Sequence, residues 1–185
     1  SGQYAVGAGL ALYLALAFQM PWYVCMIAAM IGGGILGGIA GILKAYLNVN
    51  EVIAGIMLNW ISLYSVNMLL TNVKESSTTY TMALKTNAPG ALIPSLGLDG
   101  LFSNNRYVTI AIPLAIIIAI LVWFLMSKTK LGYELKATGL NKNAAKYAGM
   151  KEKRNMILTM VIAGCLSGVG ASYLYLSGIE QWSCA

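Results

Sequence analysis

The side chains of this chain exclude most catalytic mechanisms. Its 185 residues include no histidine, which removes histidine-based proton transfer and histidine metal ligation. The cysteines have neither metal-ligand nor disulfide-framework spacing, which predicts small apolar packing residues (Cys25, Cys165 and Cys184). No Gly-Lys-Ser/Thr phosphate-binding sequence is present, so any ATP that drives the protein must be bound by another chain. We expect no catalysis, metal, cofactor or nucleic-acid partner.

One group of polar side chains lies within an apolar stretch, residues 52–71, that is long enough to span a membrane. A stripe at helical spacing consists of Glu51, Gly55, Leu58, Ser62 and Ser65, with Asn59 and Asn67 nearby. Polar groups at membrane depth are costly unless they face protein or water. The stripe therefore indicates either hydrogen bonds between helices or the lining of a path for a polar solute.

A second group of polar side chains forms the basic segment, residues 127–154, between two apolar runs. It holds eight of the twelve basic residues but only two acids, so it carries +6 while the rest of the chain sums to zero. Basic residues concentrated between two spans mark the cytoplasmic side of a membrane protein. The segment is therefore predicted to be a cytoplasmic loop that sets the direction of every span.

The basic segment is predicted to contain a short helix of its own. Asn141 is a good N-cap, residues 142–148 can make about two turns, and Gly149 suits the position just after a helix. The small Ala144, Ala145 and Ala148 would allow close docking to a partner, and Tyr147 offers one anchor. The alternative is a solvated loop that sets topology or attracts anionic lipid.

The composition indicates a membrane protein. The chain is 58% hydrophobic and 10% charged, and its mean hydropathy is +0.71, whereas soluble domains have about 25% charged residues. We predict an all-α, polytopic helical bundle with about five segments. They are residues 5–18, 22–43, 52–71, 107–126 and 155–177. The chain has no initiator Met and ends directly after an apolar run, so we expect a middle portion of a longer protein.

Individual segments carry further signals. Residues 5–18 are too short for a full span, which predicts a truncated span or a half-helix. Pro113 is expected to kink its span. Gly33, Gly37 and Gly41 recur every four residues, as do Gly34 and Gly38, and a second small-residue face consists of Gly164, Gly168, Ala171 and Ser172. Such faces let a second helix backbone approach closely in a bilayer.

The topology follows from placing the basic segment inside. Residues 73–106 then form an extracytoplasmic loop, whose charges are nearly balanced: Lys74, Lys85 and Arg106 against Glu75 and Asp99. Residues 44–51 return to the inside, although Lys44 is the one basic residue that marks this connection. The whole chain, residues 1–185, is predicted to be part of a single transmembrane domain.

Three motifs in this order resemble the permease subunits of ABC importers for nucleosides and simple sugars, in the branched-chain amino acid/ribose-type superfamily. ATGLNKNAAKYAGM at 137–150 is similar to the family's AVGxNxxAAxYxGI, and VNEVIAGIMLNWI at 49–61 is similar to VNEVIxTIMLNYI. GQYAVGA at 2–8 is similar to the end of NIGxEGQxxxGA. The departures are Ser1 for Glu, Gly55 for Thr and Thr138 for Val. The resemblance covers essentially the whole chain.

The resemblance implies a multi-pass permease of about eight to ten helices in a bacterial cytoplasmic membrane. Its partners would be a second permease subunit, identical or not, ABC ATPase subunits, an extracytoplasmic substrate-binding protein and membrane lipid. ATP-driven closure of the ATPases would move the short helix and rock the spans between inward- and outward-facing states. The coupling residues implied by the motif are Gly139, Asn141, Ala144, Ala145, Tyr147 and Gly149.

The solute implied by the resemblance is neutral, polar and flat, so it needs amide and hydroxyl partners and an aromatic face. The residues that we single out for the solute path are Gln3, Glu51, Asn59, Trp60 and Ser62. Two other functions remain open: a secondary transporter without an ATPase, for which Glu51 is the nearest approach to an intramembrane ion site, and a purely structural membrane subunit.

Overall fold

The computed structural model of the protein describes residues 1–94 and 109–184. This part of the chain is helical, and its strand-like structure is limited to two isolated antiparallel bridges. The helices are α1 (Gly2–Ala17), α2 (Trp22–Leu47), α3 (Glu51–Leu70), α4 (Leu84–Asn87), α5 (Ala111–Lys128), α6 (Lys130–Leu140), α7 (Lys142–Tyr147) and α8 (Glu152–Tyr175).

Four of the helices within the described residues are long and apolar enough to cross a membrane: α2, α3, α5 and α8. The 16-residue α1 is also apolar but shorter. This arrangement confirms the predicted all-α membrane bundle of about five segments. The helix α2 continues to Leu47, one turn beyond its predicted end, and stops where Asn48 takes a left-handed conformation at φ 49°.

The prediction that Pro113 kinks its span is wrong. The helix α5 begins at Ala111, so Pro113 lies in its first turn, where the missing N–H has no intrahelical partner to lose. The first two residues of the predicted span, 107 and 108, lie outside the described residues, as do residues 95–106 of the predicted outer loop.

The short helix α1 lies at the centre of the bundle and packs against α2, α3 and α8. Its buried side chains are small: Ala8, Ala11 and Ala15 are fully enclosed beside Leu12. Small side chains let three neighbouring backbones approach one helix, which is how bundles pack tightly in lipid. At 1.5 Å per residue, 16 residues reach about 24 Å, less than the ~30 Å of hydrocarbon.

The two small-residue faces pack against each other and join α2 to α8, the most extensive helix pair in the bundle. A Cβ atom added to Gly33 would collide with the backbone of Gly164, and one added to Gly168 would collide with the backbone of Ala29. The prediction of close backbone packing is therefore confirmed. The order of these contacts shows that α2 and α8 run antiparallel.

The end of α2 and the start of α8 define one end of the bundle, which we call the basic end because the basic segment lies there. Here the Lys153 Nζ lies 4.8 Å from the centroid of the Tyr46 ring, a cation–π contact. At the opposite end, the Trp182 indole N–H donates to Asn67 Oδ1 at 2.8 Å, and Thr81 N donates to the Trp182 carbonyl oxygen at 3.0 Å. These bonds fasten the end of α3 and the segment that follows it to the end of the described chain.

The helix α5 stands apart from the rest of the bundle. None of its residues is buried, and its principal contact in the described structure is with α6. Gly132 makes that contact close, because a Cβ at this position would collide with the carbonyl oxygens of Leu125 and Met126. The helix α6 was not predicted, since the basic segment was expected to hold a single short helix. Thr129 caps it, accepting a 3.2 Å hydrogen bond from Gly132 N.

Candidate functional site

The first candidate site is a cavity of about 240 Å³ at the basic end of the bundle, between α1, α2, α3 and α8. Apolar walls with a few amide and charged groups are typical of solute sites. The lining residues are Ser1, Gly2, Gln3, Leu36, Ala40, Lys44, Val49, Glu51, Ala54, Gly55, Leu58, Asn59 and Met160. Three of the five residues singled out for the solute path, Gln3, Glu51 and Asn59, are therefore brought to one cavity.

Close packing of α1 against its neighbours places the two amides of this cavity. A Cβ on Gly2 would lie 3.1 Å from Asn59 Cα, so the first turn of α1 sits directly on α3. A Cβ on Gly37 would lie 3.0 Å from Gln3 Nε2, so the missing side chain of Gly37 leaves room for the amide. Asn59 Oδ1 accepts a 2.6 Å hydrogen bond from the Ser1 hydroxyl. Both amides are partly exposed and can offer donors and acceptors to a polar solute.

An ion pair between Lys44 and Glu51 lines the same cavity. The Lys44 Nζ lies 3.4 Å from Glu51 Oε2, which joins the last turns of α2 to the start of α3. The side chains are 34% and 58% exposed, and such a solvated pair contributes about 0–1 kcal/mol. The contact can therefore open and close at small cost. The sequence analysis placed Glu51 in the solute path but not Lys44. The opposite charges of these two residues across a short connection were a signal that could have indicated the pair.

Trp60 and Ser62 do not line this cavity. The Ser62 side chain is buried, and its hydroxyl donates to the Leu58 carbonyl oxygen at 2.6 Å within the same helix. The Trp60 side chain is 53% exposed and stacks on Tyr64, with ring centroids 5.8 Å apart. Because neighbouring helix residues point about 100° apart, Asn59 and Trp60 face different sides of α3. The cavity is lined by the side of α3 that carries Asn59.

The second candidate site is the short helix α7 in the basic segment. Asn141 caps it as predicted, since its Oδ1 accepts from Asn143 N and Ala144 N, both at 3.1 Å. The helix ends at Tyr147, and Gly149 follows with φ +78°, a left-handed conformation that favours glycine. Gly139 is exposed with open space around it. The predicted short helix and both of its ends are confirmed.

The exposure of α7 separates the predicted coupling residues into two groups. Tyr147 is 93% exposed, Leu140 just before the helix is 89% exposed, and Ala144 is also on the surface. Ala145 is only 3% exposed, because it faces the chain's own interior. Exposed aromatic and aliphatic side chains such as Tyr147 and Leu140 are of the kind that protein partners cover.

Two contacts that sequence reasoning missed attach α6, which leads into α7, to the first turn of α8. Arg154 Nη2 donates to Glu134 Oε2 at 3.3 Å, and Asn155 Nδ2 donates to Thr138 Oγ1 at 3.0 Å. No sequence pattern indicated that residues 17 and 20 positions apart would meet. The consequence is that α6, which directly precedes α7, is held to the membrane-spanning α8 by side chains, while α7 continues into α8 through the backbone.

Comparisons with known proteins identify the family of the chain. The family model described as branched-chain amino acid transport system / permease component matches residues 1–183. The guanosine ABC transporter permease protein NupP of Bacillus subtilis is 34% identical over 97% of this chain and 51% of its own length. No solved structure gives a significant match.

Other relatives carry different solute names. The nucleoside ABC transporter permease protein NupB of Lactococcus lactis is 36% identical over 78% of this chain and 40% of its own length. The D-allose transport system permease protein AlsC of Escherichia coli is 29% identical over 77% of this chain and 40% of its own length. The chain spans about half the length of the curated relatives that it matches. It is a multi-pass membrane protein, and it belongs to the family of permease components of the branched-chain amino acid transport type.

Proposed function

We propose that this chain forms part of the permease subunit of an ATP-binding-cassette importer that carries a nucleoside or simple sugar across a bacterial cytoplasmic membrane. The observation that carries the proposal is α7, a capped and exposed helix between two membrane spans that directly follows α6, which side chains fasten to one of those spans. Such an element can receive a force from a partner and pass it into the membrane. The chain itself performs no bond chemistry, and ATP is hydrolysed by a partner.

The partner surface consists of the exposed Leu140, Ala144 and Tyr147. An apolar aromatic anchor next to small residues suits a groove on an ATPase subunit, with the basic residues of the segment at its rim. Gly139, Asn141 and Gly149 would set the shape and ends of this surface. Ala145 would hold α7 on its own chain, since its side chain is buried there.

The solute path would run past the cavity between α1, α2 and α3. Gln3 and Asn59 would offer amide donors and acceptors to sugar hydroxyls or a nucleobase edge. The Lys44–Glu51 pair would open and close at the basic end as the helices rock. Trp60 and Ser62 lie away from this cavity. In this proposal they either serve packing or face the second permease subunit. The second permease subunit and an extracytoplasmic binding protein would complete the path.

The proposed orientation places the basic segment, residues 127–154, in the cytoplasm and residues 73–106 outside. It rests on the charge asymmetry of the sequence and on the antiparallel packing of α2 and α8, which brings Lys44 to the basic end.

The decisive experiment is uptake by vesicles that contain the full-length permease, its ATPase and its binding protein. We expect ATP enclosed in the vesicles, on the same side of the membrane as the ATPase, to drive accumulation of labelled guanosine or of ribose inside them. A proton or sodium gradient without ATP should give no accumulation. Gradient-driven uptake that ignores ATP would instead establish a secondary transporter.

A further inference from the structure

A second polar cavity, distinct from the proposed solute path, lies outside the membrane-spanning bundle. It measures about 420 Å³ and lies between the start of α6, the segment that follows α7 and the start of α8. Its lining includes Lys130, Tyr133, Glu134, Gly149, Lys151 and Arg154. Glu134, Gly149 and Arg154 already have roles in the proposed coupling, whereas Lys130 and Lys151 have none.

The charges that line the cavity do not balance. Three cations face one carboxylate, and that carboxylate, on Glu134, is already engaged by Arg154 at 3.3 Å. Across residues 1–94 and 109–184, no acidic side chain forms an ion pair with Lys130 or Lys151. The cavity therefore concentrates positive charge that the rest of the described chain does not neutralise, which favours an anion from outside.

Two helix starts add to this positive potential. Lys130 is the first residue of the 11-residue α6, which has no acidic residue in its first turn, and Lys151 occupies the N-cap of the 24-residue α8 without capping it. Helix N-termini carry a partial positive charge and normally attract acids or anions, whereas lysines there are unfavourable. Glu152 in the first turn of α8 offsets part of this charge, as do the Thr129 cap and the Leu125 and Met126 carbonyl oxygens at the start of α6. An arrangement of this kind is stabilised when an anion binds between the two helix starts.

The position of the cavity indicates which anion is available. The span α5 ends at Lys128, and Thr129 separates it from α6, so Lys130 lies where the chain leaves the membrane. The apolar side chains of α5 near this end, such as Phe124, are exposed, as is Tyr133 on α6, which is 67% exposed. A phosphate in the cavity would therefore have apolar surface beside it for acyl chains and an aromatic ring at interface depth.

We propose that this cavity binds the phosphate headgroup of an anionic phospholipid from the cytoplasmic leaflet; the leaflet rests on the proposed orientation. Lys130 and Lys151 hold the phosphate, and Arg154 contributes while remaining paired with Glu134. Gly149 and the start of α8 line the same cavity. The bound lipid therefore holds the segment that follows α7 in place against both α6 and α8. Anionic lipid is therefore required for full coupling.

The test uses the full-length permease, purified and delipidated, with and without its ATPase. Retention of phosphatidylglycerol against phosphatidylcholine is measured by native mass spectrometry on the permease alone, which needs no transport activity. ATP hydrolysis of the complex is then measured in phosphatidylcholine vesicles with rising phosphatidylglycerol. General attraction to an anionic surface contributes about 1 kcal/mol per lysine, or roughly fivefold in binding, whereas a lysine that hydrogen-bonds a phosphate contributes about 1.5–3 kcal/mol, or roughly tenfold to a hundredfold. The Lys130→Gln/Lys151→Gln variant should therefore need at least about 100-fold more phosphatidylglycerol.

The matched control is Lys128→Gln/Lys136→Gln, which removes the same charge from the same segment outside the cavity, so it should lose the general attraction alone and shift the titration by about 30-fold or less. Equal shifts in both double variants would overturn the site, because general attraction to the membrane would then explain the effect. Binding of 10 mM inorganic phosphate without any preference for phosphatidylglycerol would overturn the lipid as the source. Loss of ATPase association with unchanged lipid retention would assign the cavity to an acidic protein partner instead. Lipid retention can fail while uptake persists, so this test is separate from that of the transport function.

Discussion

Asn155 at the start of α8 donates a 3.0 Å hydrogen bond through its side-chain amide to the hydroxyl oxygen of Thr138 on α6. Asn155 is fully buried, and no protein donor among the described residues reaches its Oδ1. The Thr138 hydroxyl in turn donates to the Glu134 carbonyl oxygen at 2.7 Å. The contact is thus a directed chain of hydrogen bonds that holds α6 to α8 where the basic segment meets the membrane.

The contact between Thr138 and Asn155 should contribute measurably to stability. Replacing Thr138→Val removes the oxygen and leaves both ends of the buried amide without a protein partner, which costs about 1–3 kcal/mol. We expect a lower unfolding temperature of the full-length permease in detergent and less ATP-coupled uptake. Thr138→Ser keeps the hydroxyl and should restore most of both. Equal behaviour of the two variants would show that the hydrogen bond is dispensable.

Glycine packing between α2 and α8 should be sensitive to a single methyl group. Gly168→Ala places a Cβ into the backbone of Ala29, whereas Gly170→Ala, one half-turn away, meets no atom within 4 Å. Overpacking costs about 1–3 kcal/mol, and contact with backbone cannot be relieved by a rotamer change. We expect Gly168→Ala, and more strongly Gly168→Leu and Gly37→Leu, to lower the yield of folded permease by size-exclusion chromatography. A Gly170→Ala protein with the same loss would contradict this interpretation.

Substitutions at two polar residues of α3 should affect solute uptake differently. Asn59→Leu removes an amide that lines the cavity, so uptake of the solute should show a KM raised about tenfold or more, the loss of one or two hydrogen bonds. Ser62→Ala removes a hydroxyl that bonds to its own helix, so uptake should stay within about twofold of the original. Initial uptake rates at several solute concentrations provide the measurement. Similar KM values for both variants would assign Asn59 to packing.

The orientation can be read from thiol labelling. In a background without Cys25, Cys165 and Cys184, single cysteines at Lys142 and Thr79 occupy exposed positions at opposite ends of the bundle. A membrane-impermeant maleimide should label position 142 from the cytoplasmic side and position 79 from the outside. The reverse pattern would invert the proposed topology and remove α7 from the reach of a cytoplasmic ATPase.

Glutamate substitutions at two adjacent alanines of α7 should impair the permease for different reasons. Ala144 is exposed, so Ala144→Glu should leave the permease folded but place a charge in the apolar contact with the ATPase, lowering stimulated ATP hydrolysis at least tenfold. Ala145 is 3% exposed within its own chain, so Ala145→Glu should lower the unfolding temperature before any partner is added. Lys142→Gln, at a solvated position, is the control. Normal stimulation of hydrolysis in the Ala144→Glu complex would show that α7 does not contact the ATPase.

Hydropathy and local chemistry determined much of this fold in advance. The four spans follow from apolar length, because a backbone in lipid must satisfy its own hydrogen bonds and so becomes helical. The ends of α7 follow from Asn141 and Gly149, because capping depends on residues within one turn. The glycine repeats indicated close packing for the same local reason, without naming the partner helix.

Tertiary structure decided the rest, since pairs of residues far apart in sequence leave no periodic signal. It alone selected α8 as the partner of α2, brought Gln3 to Asn59, and left Ser62 outside the cavity although it lies only three residues after Asn59 in the same helix. It also buried Ala145 while leaving Ala144 exposed, because which face of a two-turn helix meets its own chain depends on how α6 docks on α8. Periodicity shows that a face exists, but the packing of neighbouring helices decides what that face contacts.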